Sequence, residues 1–91
     1  MWFDGQRQPN TVLKGGEHME RTWLINARRK AGLTGVEVSS RLGISQGYYS
    51  LVEHGERKQK MDIPFLLALA QILGMSVEQI TEEETKWKNS L

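Results

Sequence analysis

Residues 34–55, TGVEVSSRLGISQGYYSLVEHG, set the architecture of the chain. Thr34 is placed to cap a helix, its hydroxyl accepting a backbone N–H that the first turn leaves unpaired. Val38 and Leu42 follow at a spacing of four and share one helical face. Gly43 stands where a left-handed residue ends a helix at little cost. Ile44 plugs the corner and Ser45 caps a second helix, over residues 45–54. Tyr49 and Val52 give that helix an inward side, and Gly55 closes it.

Two short helices joined by a tight glycine-containing turn form a helix-turn-helix unit. The rest of the composition bounds what can surround it. The chain has 91 residues, enough for one domain with a small core. With no cysteine, disulfides and thiolate metal sites are excluded, and a reducing compartment is natural. No apolar run approaches the roughly 20 residues that a membrane span needs. The net charge of +1 conceals an asymmetry. Residues 19–60 hold eight Lys/Arg against four Glu, whereas residues 61–91 hold two Lys against five Asp/Glu. A basic half that contains the bihelical unit suits a polyanionic partner.

Working outward, helix 1 is expected over Glu20 to Ala31, with Leu24, Ala27, Arg28 and Ala31 on one stripe and Gly32 as its stop. An arginine on an inward stripe requires a partner. After Gly55, residues 56–60 (ERKQK) form a polar loop. Asp62 caps helix 4, and Pro64 sits in its first turn, where proline is tolerated. This helix is apolar on most sides, so it is either central to the core or shared with a second chain. Ser76 and Gln79 match a capping box at the start of a short helix 5 carrying Val77 and Ile80. Residues 83–91 form a charged tail or a helix extension, with Trp87 as its odd apolar residue.

From Leu24 to Ile80 the pattern resembles the phage repressor and Cro-type (XRE-type, lambda-repressor-like) helix-turn-helix family. The resemblance is carried by R-x-x-x-G-L-T at Arg28 to Thr34, L-G-I-S at Leu42 to Ser45, and V-E-x-G at Val52 to Gly55. The tail A-x-x-L-G-x-S-x-x-x-I, Ala70 to Ile80, completes it. It implies an all-α, compact five-helix domain over residues 19–82. It also implies that Arg28 and Glu53 form a partly buried ion pair, which makes Glu53 structural rather than an acid or base.

The resemblance further implies contact with double-stranded DNA at the starts of helices 2 and 3 and in the loop after helix 3. In this chain those positions are Thr34 and Gly35, then Ser45, Gln46 and Gly47, then Arg57, Lys58 and Lys60. Helix N-termini offer unpaired N–H groups to phosphates. Gln46 is the candidate base reader, because its amide can pair with both exposed groups of an adenine edge. Tyr48 projects outward and can stack on sugar or bond phosphate, Ser50 lies on the outer face within reach of backbone or base, and Leu51 can touch a thymine methyl or serve a protein partner. Three departures from the family pattern bear on DNA contact. Gly35 replaces the usual Gln, Gly47 offers no side chain, and Leu51 stands where a polar reader is common. Readout then leans on shape and phosphate contacts. Ser39 replaces the small Ala between helices 2 and 3.

Residues 1–18 lack periodicity and carry Gly5, Pro9, Asn10, Gly15 and Gly16, so they read as a flexible N-terminal extension. Lys14-Gly15-Gly16-Glu17 is encodable by AAAGGAGGNGAR, a purine-rich ribosome-binding sequence, at a suitable distance before Met19. One reading is that the native protein starts at Met19 and the extension is translated leader. The other is an arm that reaches along DNA. N-terminal mass analysis of protein made from its own locus separates them, and a native start at Met1 ends the first.

An enzyme is not expected: no nucleophilic cysteine, phosphate-binding glycine loop or apolar carboxylate pair is present. No cofactor is implied, and His18 and His54 do not make a metal site. The sequence therefore points to a transcriptional regulator, in the repressor sense, of bacterial or phage origin and cytoplasmic. Two half-sites a helical turn apart call for a homodimer, formed through helix 4, helix 5 and the tail. The alternative is a protein-binding regulator such as an antitoxin or anti-repressor, which Leu51, Trp87 and the apolar excess of helix 4 would favour.

Overall fold

The computed structural model describes residues 19–58 and 60–91. It contains five helices: α1 (Thr22–Lys30), α2 (Gly35–Leu42), α3 (Gln46–Glu53), α4 (Ile63–Leu73) and α5 (Val77–Asn89). No strand occurs among the described residues. This is the all-α, five-helix arrangement expected from the sequence. The N-terminal extension, and with it the choice between leader and arm, lies outside the described residues.

Local chemistry fixes the helix starts. Thr34, Ser45, Asp62 and Ser76 each accept the backbone N–H three residues on. Thr34 with Glu37 and Ser76 with Gln79 close full capping boxes. Thr34's backbone N–H reaches Glu37 at 2.8 Å and holds that carboxyl below the usual glutamate range. The first helix differs from expectation. It starts at Thr22 rather than Glu20, and its preceding residue, Arg21, gives no side-chain cap, since a guanidinium carries donors and no acceptor; it turns inward instead.

At the bihelical corner Gly43 takes φ 77°, and its N–H and that of Ile44 return to the carbonyls of Ser40 and Ser39. Gly55 ends the second helix at φ 80°, and a Cβ there would stand 2.2 Å from the Met19 carbonyl oxygen. Only glycine allows both that backbone conformation and that close approach.

The core gathers Leu24 of α1, Val38 of α2, Tyr49 and Val52 of α3, Leu69 of α4 and Ile80 of α5, all essentially removed from water. α2 packs on α3 and α4, α1 on α3 and α5, and α4 on α5. Removing the side chain of Leu69 beyond Cβ would cost about 2–5 kcal/mol in lost transfer energy and cavity. Ser39 fits at the α2–α3 crossing because its hydroxyl returns to the Val36 carbonyl at 2.9 Å. α4 is central, as its composition implies, yet it leaves Ile63 and Leu67 70% and 51% exposed.

α5 is the longest helix rather than a short one, and it continues unbroken through the charged segment to Asn89. Ile80, Glu84 and Trp87, spaced four and three, form its buried stripe. Trp87 therefore packs within its own chain instead of offering an exposed apolar anchor. Among the described residues no single helix is long and apolar enough to cross a membrane.

Candidate nucleic-acid interface

α3 is held from behind. Tyr49 and Val52 are buried, while Gln46 and Gly47 are exposed at its first turn. Ser45 accepts the Tyr48 N–H at 3.0 Å, which satisfies one orphan donor of that turn. At the start of α2, Thr34 is exposed and Gly35 is half-buried, with the Tyr49 ring 3.7 Å from where its Cβ would be. A Cβ at Gly47 would meet nothing within 4 Å. The α2 start thus lies low against the Tyr49 ring, and among the described residues nothing fills the space over Gly47.

The other expected positions separate into two groups. Arg57 and Lys60 are exposed. Lys58 is half-buried: its ammonium lies 3.6 Å from Asp62 and 4.8 Å from the centre of the Phe65 ring. Tyr48 is half-buried and, with Ile44, Ser45, Lys58 and Phe65, lines an open cleft beside the α3 start. Ser50 is half-buried and turned toward His54, whose Nδ1 donates to the Ser50 carbonyl at 2.7 Å. The other imidazole nitrogen of His54 lies 3.8 Å from Glu20. Leu51 is half-buried at the edge of the same helix.

The inward arginine of α1 meets the end of α3. Arg28 Nε donates to Glu53 at 2.6 Å, and its Nη1 donates to the Leu33 carbonyl at 3.1 Å. Glu53's carboxylate raises the Arg28 pKa, outweighing the opposing effect of burial. Tyr49 is adjacent. Burial pushes its phenol well above the usual tyrosine range, and the Glu53 charge adds to that. The phenol oxygen feels both charges, and among the described residues it has no hydrogen-bond partner within bonding geometry.

A second charged cluster escaped the sequence reading. Arg21 is fully buried and pairs with the buried Glu84, Nη2 to Oε2 at 2.8 Å and Nε to Oε1 at 2.9 Å. Trp23 Nε1 also donates to Glu84, at 3.0 Å, and Trp87 covers the guanidinium at 4.2 Å. The signal for it was the spacing of Ile80, residue 84 and Trp87, which places Glu84 inward despite its charge. No group of three His, Cys, Asp or Glu suited to a metal occurs among the described residues.

A capped helix pair joined at a left-handed glycine, with the second helix buried on one side and open at its first turn, defines a helix-turn-helix domain of the DNA-binding class. The comparison with known families agrees. Residues 24–82 match the family described as helix-turn-helix domain, and the chain belongs to that family. Among solved structures it is similar to the clp gene regulator ClgR from C. glutamicum, at 26% identity and a TM-score of 0.61. That similarity covers 72% of this chain and 83% of the other. No curated protein matches.

Proposed function

We propose that this chain is a sequence-specific, double-stranded DNA-binding transcriptional regulator of the XRE type, acting as a repressor in the bacterial cytoplasm. Its work is binding rather than catalysis. The observation that carries this reading is the first turn of α3, where Gln46 and Gly47 are exposed while Tyr49 and Val52 anchor the helix from behind. In this reading the α3 start enters the major groove and Gln46 pairs with an adenine edge. The N-terminal turns of α2 and α3 take phosphates, and Arg57 and Lys60 extend the grip along the backbone.

α3 has eight residues, about 12 Å of helix, so one copy spans only one half-site. A homodimer supplies the second, a helical turn (about 34 Å) away. The second copy is placed on helix 4, helix 5 and the tail, where Ile63, Leu67, Val77 and Leu91 are exposed while Trp87 and Glu84 are turned inward. Similarity to a gene regulator supports the same class.

The test is selection of duplexes by the purified protein, followed by binding titrations of the selected site. Gln46→Ala is expected to lose about 1–3 kcal/mol of discrimination at one base pair. An equal loss on selected and random duplex would refute its reading role.

A further inference from the structure

Arg21 does more than pair with Glu84. Each of its five guanidinium N–H groups has an acceptor. Nε and one Nη2 hydrogen serve Glu84, while Nη1 donates to the carbonyls of Val52 at 2.7 Å and Arg57 at 2.9 Å. The remaining Nη2 hydrogen goes to the Lys58 carbonyl. Its own backbone N–H donates to the Glu53 carbonyl at 2.8 Å. One buried side chain therefore ties α5 to the last turn of α3 and to the loop that follows it.

That loop is not at rest. Lys58 adopts φ 61°, the only positive φ at a non-glycine among the described residues, and a lysine adopts it at some cost. The carbonyls of residues 57 and 58 both turn inward onto Arg21, so the backbone that bears Arg57 is held from inside. Nothing else in the cluster requires a charge. Well-packed apolar side chains would serve stability as well as a buried ion pair, but they could not bind three backbone carbonyls.

We propose that Arg21 and Glu84 are positioning residues for nucleic-acid binding: the buried pair, clamped by α5, holds the backbone at residues 57 and 58 in the conformation that presents the Arg57 side chain to a phosphate. This rests on the DNA-binding reading above. Its consequence is that the loop's grip depends on the second half of α5 staying docked, although that half lies outside the bihelical unit.

A double-mutant cycle on the full chain tests it, with a random-sequence duplex titrated by fluorescence anisotropy across a salt series. Arg57→Ala alone is expected to weaken binding about eightfold near 0.1 M salt and to flatten the salt slope by about 0.9, the signature of one lost phosphate contact. Glu84→Gln, with its helical circular dichroism intact at the assay temperature, is expected to give a similar loss. In the E84Q background, Arg57→Ala should then add less than about twofold. Should E84Q fail to fold, Arg21→Lys carries the same cycle, since it keeps the cation beside Glu84 but loses the fork that reaches the carbonyls. If the Arg57→Ala effect is the same size in both backgrounds, the pair is merely structural and the proposal is overturned. If instead the unmodified chain binds duplex without salt dependence, the DNA-binding reading itself fails and takes the proposal with it.

Discussion

Gly47→Glu should move stability and DNA binding in opposite directions. The residue is second in α3, after the Ser45 cap and Gln46. Its backbone is not in the left-handed region, and a Cβ there would meet nothing within 4 Å. Nothing in the fold requires glycine. Replacing it with glutamate gains roughly 0.5 kcal/mol of helix propensity. A carboxylate in the first turn adds about 0.3–1 kcal/mol through the helix dipole. The sum is about 1 kcal/mol, which for a domain of this size raises the melting temperature by about 4–8 °C.

Against DNA the same carboxylate is harmful. If the α3 start lies in a major groove, it stands about 6 Å from a phosphate. The repulsion there is about 0.7–2.8 kcal/mol per phosphate for effective dielectric constants between about 80 and 20. Binding at low salt should weaken by about tenfold or more, and the penalty should shrink as salt screens it. Thermal melts and anisotropy titrations at two salt concentrations read both signs from one variant. Wild-type affinity at low salt would mean that the α3 start does not face DNA. A lower melting temperature would mean that residue 47 is not where the helix geometry puts it.

Three further outcomes follow from the packing. Tyr49→Phe removes a buried hydroxyl for which the described residues offer no hydrogen-bond partner, so stability at neutral pH should be unchanged or higher by up to about 1 kcal/mol. Because burial raises the folded pKa of Tyr49, the phenol is protonated in both states below about pH 10. Above that, the unfolded chain ionises first, and wild-type stability should fall by about 1.4 kcal/mol per pH unit relative to the variant. Parallel alkaline limbs in urea unfolding would refute this. Glu53→Ala leaves Arg28, whose side chain is only 15% exposed, with the Leu33 carbonyl alone, and should cost about 3 kcal/mol. Glu53→Gln should cost less, and a loss below about 1 kcal/mol for the alanine variant would show that the pair is not stabilising. Leu67→Lys, at a half-exposed site, should change monomer stability by less than about 0.5 kcal/mol yet yield monomers in sedimentation. An unchanged sedimentation profile would move the dimer interface elsewhere.

What could be read in the sequence was what depends on near neighbours. Thr34, Ser45, Asp62 and Ser76 cap from three residues away, and Val38, Tyr49, Val52 and Ile80 repeat at helical spacing, so caps and core were legible. Arg28 announced a partner by standing on an apolar stripe, though only the family resemblance named Glu53. The Arg21–Glu84 pair spans 63 residues, and no local rule reaches that far. Nothing near Arg21 in the sequence marks it as buried, and Glu84 is one of three consecutive glutamates in a charged segment. Phase distinguishes them. With Ile80 and Trp87 both inward, only position 84 completes the stripe, whereas Glu82 is exposed and Glu83 half-buried. The same phase turns Trp87 away from any partner, its indole N–H donating to the Met19 and Glu20 carbonyls. Among the described residues, besides Met19, Val36 and Leu91, the large apolar side chains left exposed are Ile63, Leu67 and Val77, on α4 and at the start of α5. A second copy that docks there leaves Glu84 on Arg21, so dimerisation and the grip of the loop can be altered separately.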